Sequence, residues 1–340
     1  MHGFRKTLLL YGINFWFLGN FASAQKIYLI PFAGCYKKPA TIFDIHGPYN
    51  RDNCVRPYYL LKQELERQGW AIQALTDPSQ VPPEGILVVF NIPSDKKFVA
   101  AMRRCRAHKK IAWLWEPPIK KHTRNFDAQL HLFFDKIYTW APEYIDNKKY
   151  FAFYTPYPEI TIPEKSVNFE NKKDIVMVAG YQKSRHLLSL CELRVDFVDY
   201  CDSIKSACFD VYGSGWGSRI YGYRGKVKDK LALLRQYKFV ICYENCQTPG
   251  YVSEKIFDAF CAGAVPVYYG APDITQYIPE NCYINARNFK TPAELYNYLM
   301  GISSNEYTQL RAHINQFLCS QDVQKFSVDN FIKIFIESLL

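Results

Sequence analysis

The sequence contains no Cys-x-x-Cys pair and no His-Glu-x-x-His. Both absences exclude the common zinc sites, which need that ligand spacing. It has no internal repeat and no low-complexity tract, so solenoids and disordered arrays are excluded as well. It also lacks a basic run long enough to serve as a nucleic-acid arm. The densest stretch, Arg103, Arg104, Arg106, Lys109 and Lys110, falls on a predicted helix and reads as a solvated face. No nucleic-acid partner is expected. Long apolar runs are scarce too. Thr7 to Phe21 is interrupted by Tyr11, Gly12, Asn14, Gly19 and Asn20, and is short against the roughly 20 apolar residues of a spanning helix.

Residues 1–24 nevertheless need an account. Arg5 and Lys6, the apolar stretch and Ala22-Ser23-Ala24 together have the layout of a signal peptide. An amphipathic segment resting on a membrane through residues 7–21 is the other reading. The 11 cysteines are odd in number, and several fall inside predicted strands and helices, where thiols act as small hydrophobes. That usage points to a reducing compartment. The net charge of +10 suits an anionic ligand.

A chain of 340 residues exceeds one comfortable hydrophobic core and suggests two domains. Strands are expected at Lys26–Pro31, Ile86–Phe90, Ile111–Trp115 and Lys136–Trp140, with helices over Val55–Gln68 and Lys96–His108. Residues 34–54 read as a long polar loop. Thr155-Pro156-Tyr157-Pro158 and Ile162-Pro163 then open a polar boundary. Alternation resumes with strands at Ile175–Ala179, Phe209–Tyr212, Phe239–Tyr243 and Val265–Tyr268, separated by helices near Leu187–Cys201, Val227–Gln236 and Val252–Ala262. The division is therefore 25–160, 172–318 and a C-terminal helix in 319–340. Such alternation gives parallel α/β sheets, two of them with a cleft between, and ligands sit at the carboxyl ends of their strands.

The chemistry concentrates in one segment. Tyr237-Lys238-Phe239-Val240-Ile241-Cys242-Tyr243 is a strand ending in Glu244-Asn245, followed by the turn Thr248-Pro249-Gly250-Tyr251 and the helix that begins at Val252. Gly263 closes that helix and Val265-Pro266-Val267-Tyr268-Tyr269-Gly270 returns as a strand. A strand, a glycine-containing turn and a helix N-terminus form an anion site, because free N–H groups and the helix dipole both face the ligand. Lys255 adds a full positive charge there. Glu254 beside it would repel phosphate and is better suited to sugar or ribose hydroxyls.

The ordered blocks YKFVICYEN, GYVSEKIFDAF and GAVPVYYGAP resemble the signature of the α-1,3/1,4-fucosyltransferases, glycosyltransferase family ten. Ser253 stands where that family commonly has Thr. The resemblance continues upstream through Phe209–Trp216, Tyr223-Arg224-Gly225 and Lys230, and more weakly to Phe134–Trp140, so it covers roughly residues 110–290. It implies the GT-B arrangement, two Rossmann-like domains facing across a cleft, with GDP-fucose bound by the C-terminal one and an oligosaccharide or glycan acceptor, N-acetylglucosamine of lactosamine-type chains, met by the N-terminal one. By motif match, Lys230, Asn245, Tyr251, Glu254 and Lys255 contact the donor. A diphosphate-clamping arginine is Arg194, with Arg185 as its rival. Glu116, in Trp113-Leu114-Trp115-Glu116-Pro117-Pro118, stands where the family base belongs, and its flanking tryptophans are placed to shield it. His46 is the candidate acceptor contact. No Asp-x-Asp occurs, in keeping with a fold that needs no metal to hold its donor, and no cofactor is expected. Asp210 and Asp258 read as structural. The rivals are a GT-B transferase with a different nucleotide sugar and a non-catalytic carbohydrate-binding relative. No stem-like spacer follows the apolar stretch, so a bacterial enzyme in the cytoplasm or at the cytoplasmic face of a membrane fits better than a Golgi one.

Overall fold

The computed structural model describes residues 25–32, 38–120, 123–163 and 168–340. The apolar stretch 7–21 and its proposed membrane role lie outside the described residues. Among those described, no helix is long and apolar enough to cross a membrane.

Six strands form the first sheet: β1 (Lys26–Ile30), β2 (Ala71–Ala74), β3 (Ile86–Phe90), β4 (Lys109–Leu114), β5 (Lys136–Thr139) and β6 (Tyr150–Ala152). Their order is β2-β1-β3-β4-β5-β6, and every pair is parallel. Parallel strands need helical crossovers on both faces. Helices α1 (Arg56–Arg67), α2 (Lys96–Arg104) and the single turn α3 (Ala128–His131) lie in these connections. Ile86-Leu87-Val88-Val89-Phe90 is buried at all five positions, which is why it reads as a continuous apolar run. Helix α2 stops at Cys105, whose backbone is extended, four residues earlier than the sequence suggests.

The second sheet holds β7 (Lys173–Val178), β8 (Phe209–Tyr212), β9 (Tyr237–Tyr243), β10 (Val265–Tyr269) and β11 (Ile284–Asn285), in the order β11-β10-β9-β7-β8, again all parallel. Helices α4 (Cys191–Ser203), α5 (Lys230–Leu234), α6 (Glu254–Cys261), α7 (Pro292–Gly301) and α8 (Ser304–Leu318) accompany it. The expected helix from Leu187 starts only at Cys191. Leu187 itself is exposed, and Ser189 bridges to Cys246 instead. Strands β2, β6 and β11 carry no clear apolar pattern and are found only in the structure. Each is an edge strand of two to four residues.

The last helix, α9 (Val328–Leu339), crosses back to the first sheet. Phe331, Phe335 and Leu339 recur every four residues and pack in one core with Tyr58, Phe90 and Trp113. The Lys109 ammonium donates to the Leu339 carbonyl at 2.7 Å.

Both sheets present their carboxyl ends to the cleft. The Trp140 and Tyr251 rings meet across it, with centroids 4.9 Å apart. Gly250 makes that approach possible. Its φ is +75°, and a Cβ there would lie 2.1 Å from the Trp140 carbonyl oxygen. No side chain fits in such a space.

Candidate functional site

Strand β9 delivers Glu244 and Asn245 to the cleft, and the turn that follows returns the chain as α6. Glu244 is wholly buried. Its Oε1 accepts the Ser253 N–H at 2.8 Å, and its Oε2 accepts the Ser253 hydroxyl at 2.7 Å and the Lys255 ammonium at 3.1 Å. The Ser253 hydroxyl is thereby spent on Glu244 and does not cap α6. Burial by itself lowers the Lys255 pKa, but Glu244 and Glu254 outweigh burial and the nearby Arg194, and hold the ammonium well above the usual lysine range. It stays charged. Burial likewise pushes the Glu254 carboxyl up, while Lys255 and Lys230 pull it down further, to about 2. Solvent still reaches 46% of the Glu254 side chain, so its surroundings are those of an open cleft, where solvent screening weakens these interactions.

Arg194 approaches from α4. It is 5% exposed. Its Nη2 donates to the Tyr243 carbonyl at 2.6 Å and to Asn245 Oδ1 at 3.1 Å. Its Nε is buried without a partner, and no carboxylate lies within ion-pair distance among the described residues. A buried guanidinium with an unspent donor is costly unless an anion completes it. Arg185, by contrast, is exposed in the loop before α4 and lines no part of the cavity that holds Arg194.

That cavity is lined by Ala179, Arg194, Lys230, Glu254, Lys255 and Asp258. Asp258, read as structural from the sequence, lies in its wall. Its Oδ2 accepts from Lys230 Nζ at 2.6 Å and its Oδ1 from the Tyr157 hydroxyl at 3.0 Å. Asp210 does play a scaffold part, joining Tyr237, Lys173 and Arg224 beside β8. A second cavity of about 420 Å³ adjoins the first and shares Val178, Ala179 and Lys230 with it. Arg51 and Asp52 of the N-terminal domain line it, facing Gly180, Gly213, Lys226 and Lys228. Sequence reasoning passed over Glu244 as a charge anchor, and over Arg51, Asp52, Lys226 and Lys228. Only Glu244 carried a signal, its place at the end of a buried strand.

Burial raises the Asp258 carboxyl to about 6, helped by Glu254 and opposed by Lys230 and Tyr157. Its folded value therefore exceeds its unfolded one. Between about pH 4 and 6 the folded protein holds a proton there that the unfolded chain has lost, so stability falls as pH rises through that window. The Asp258→Asn variant lacks this loss. Its stability should match the wild type near pH 4 and exceed it above pH 6, by on the order of 3 kcal/mol, with a correspondingly higher melting temperature. Scanning calorimetry across pH 4–7.5 measures it, and parallel curves would refute the assignment.

Glu116 sits at the carboxyl end of β4, half-buried. Its N–H donates to Asn91 Oδ1 at 2.9 Å, and its carbonyl accepts from Asn125 Nδ2 at 2.8 Å. The buried Asn91–Asn125 pair fixes this backbone. The carboxylate has no hydrogen bond or ion pair among the described residues. The flanking tryptophans do not shield it. Trp113 and Trp115 pack inward with Phe153 and Phe331. Glu116 lies close to the other domain, because the Trp140 indole donates to the Trp115 carbonyl at 3.0 Å and packs on Tyr251. Burial raises the Tyr251 hydroxyl well above its ordinary value, and the charges of Glu244, Glu116 and Glu254 add to this. Asn245 Nδ2 donates to that hydroxyl at 3.5 Å. His46 is exposed in a turn held by Asp44 and lines neither cavity.

Six of the sequence-selected residues, Arg194, Lys230, Asn245, Tyr251, Glu254 and Lys255, thus meet around one trough, with Glu116 opposite one end. The arrangement can hold a diphosphate and present a free carboxylate to a hydroxyl.

Residues 181–317 match the family model described as "Glycosyltransferase family 10 (fucosyltransferase) C-term". An alpha-(1,3)-fucosyltransferase FucT of Helicobacter pylori is 34% identical over 118 residues, 35% of this chain and 23% of that protein. A GDP-fucose protein O-fucosyltransferase 3 of Danio rerio is 32% identical over 123 residues, 32% of this chain and 27% of that protein. The match thus spans about a quarter of the length of these curated relatives. A crystal structure of an alpha1,3-fucosyltransferase superposes with a TM-score of 0.59 at 17% identity, covering 93% of this chain and 91% of that one. The likeness shows the fold, two Rossmann-like domains in the GT-B arrangement.

Proposed function

We propose that this chain, which matches the family model of glycosyltransferase family 10, the fucosyltransferases, over residues 181–317, belongs to that family and transfers fucose from GDP-fucose to an acceptor hydroxyl with inversion. The observation that carries this reading is the buried, carboxylate-free guanidinium of Arg194 beside Lys255 at the start of α6. Those groups suit a diphosphate. GDP-fucose as its source rests on the family match and on the relative named for that donor.

In the proposed reaction Glu116 takes the acceptor proton as the acceptor oxygen bonds to fucose C1 and the C1–oxygen bond to GDP breaks. The negative charge that develops on the departing diphosphate falls to Lys255, Arg194 and the α6 N-terminus. Glu254, ionised in its open cleft, accepts hydrogen bonds from fucose or ribose hydroxyls. Tyr251 and Asn245 line the sugar end. Lys230 adds a positive charge held in place by Asp258.

The acceptor proposed first is a glycan hydroxyl, N-acetylglucosamine of lactosamine-type chains, giving an α-1,3 or α-1,4 linkage. A protein hydroxyl is the second reading, favoured by the Danio rerio relative. We place the reaction on the cytoplasmic side, where nucleotide sugars are made.

Thermal stabilisation by GDP-fucose, GDP-mannose, UDP-glucose and CMP-sialic acid tests the donor. The expected shift is confined to the GDP ligands and largest with GDP-fucose. A shift confined to a UDP or CMP sugar overturns the donor while leaving the GT-B fold intact.

A further inference from the structure

The trough has two ends, and the order of the strands tells them apart. Trp140 donates to the Trp115 carbonyl, next to Glu116, at 3.0 Å and packs on the Tyr251 ring in the loop after β9. The reacting sugar belongs at that end. Arg194 and Lys255 hold the middle. The other end is the cavity at the carboxyl ends of β7 and β8, on the far side of β9 in the sheet order β10-β9-β7-β8. A nucleoside that leaves the diphosphate away from Glu116 enters it. Small residues leave room for a flat ring there. Gly180 and Gly213 line it, and Gly213 lies so close to β7 that a Cβ would be 2.1 Å from the Ala179 carbonyl oxygen.

This cavity is cationic, with Arg51, Lys226, Lys228 and Lys230 against the single carboxylate of Asp52. Lys230 is already engaged by Asp258 at 2.6 Å. Arg51 has no carboxylate within ion-pair distance among the described residues. The loop that carries it is held in an unusual shape. Asp52 and Asn53 both adopt positive φ, +53° and +59°, a region that Asp and Asn enter more readily than other non-glycine residues. One restraint on the loop crosses the cleft: Asp52 Oδ1 accepts the Lys230 N–H at 3.3 Å, and its Oδ2 lies 3.8 Å from Lys230 Nζ. The restraint holds the loop of Arg51, in the N-terminal domain, against the wall of this cavity.

Resting on the donor reading above, we infer that Arg51 reads the donor's purine base across the cleft, its forked guanidinium donating to guanine O6 and N7. A pyrimidine offers no such pair of acceptors. The fork matches guanine geometrically, and each bidentate pair of this kind discriminates strongly between bases. Arg51 is then a specificity-determining residue, and Asp52 positions it.

The test measures GDP, 7-deaza-GDP, UDP and inorganic pyrophosphate binding by calorimetry to wild type, Arg51→Ala and Arg51→Lys. Arg51→Ala should weaken GDP on the order of tenfold and leave UDP and pyrophosphate unchanged. Arg51→Lys keeps the charge but loses the fork, so it should resemble Arg51→Ala. Wild type should bind 7-deaza-GDP more weakly than GDP, and Arg51→Ala should bind the two alike. An equal loss for GDP, UDP and pyrophosphate would mean that Arg51 serves the phosphates, and the inference falls. GDP binding unaltered by either substitution also overturns it while the donor reading stands. Wild type that binds no GDP at all sinks the donor reading itself.

Discussion

Glu116→Gln should bind GDP-fucose as tightly as the wild type and transfer fucose at least 100-fold more slowly. A general base contributes 10²–10⁴-fold to a rate, and the amide removes the base while keeping shape and volume. Nothing in the fold depends on this carboxylate. The backbone of residue 116 is held by Asn91 and Asn125 through its N–H and carbonyl, so the variant should melt within a degree or two of the wild type. The readout is a split, with kcat collapsing and donor affinity kept. A variant that retains a tenth or more of wild-type kcat would remove Glu116 from the reaction. Loss of donor affinity along with kcat would reassign the residue to donor binding.

Arg194→Met should act the other way, on the diphosphate. Removal of one preorganised group facing developing charge costs on the order of 10²–10³ in rate, and this arginine also completes the ground-state site, so donor affinity should fall with it. The unliganded protein should suffer little. The substitution leaves the Tyr243 carbonyl without the Nη2 donor, but it also removes a buried guanidinium whose Nε has no partner. The two effects oppose each other. Calorimetry of GDP binding, together with melting of the free protein, separates the outcomes. Weak binding with a stable fold supports the clamp. Unfolding without ligand, or GDP binding unchanged, would show that Arg194 serves the scaffold. Arg185→Met is the companion measurement. Exposed and outside both cavities, it should change neither quantity, and that contrast separates the two arginines near the start of α4.

The sequence by itself determined the pieces that local patterns control. Alternating apolar runs and helical stretches set most strands and helices of two α/β halves, because hydrophobic periodicity depends only on near neighbours. The strand–turn–helix around Glu244 to Lys255 was legible as an anion site for the same reason, since its glycine, its charged first turn and its buried flanks are contiguous in the chain. Tertiary structure decided everything that joins distant segments. The order β10-β9-β7-β8 chose which end of the trough faces Glu116. Packing brought Arg194 to Tyr243 and Asn245, and Asp258 to Lys230 and Tyr157. It turned Trp113 and Trp115 into the core and away from Glu116, and sent Phe331 and Phe335 of the last helix into the core of the first domain. Strand pairing and helix docking are long-range choices among apolar faces that look alike from within the chain, so no local pattern encodes them.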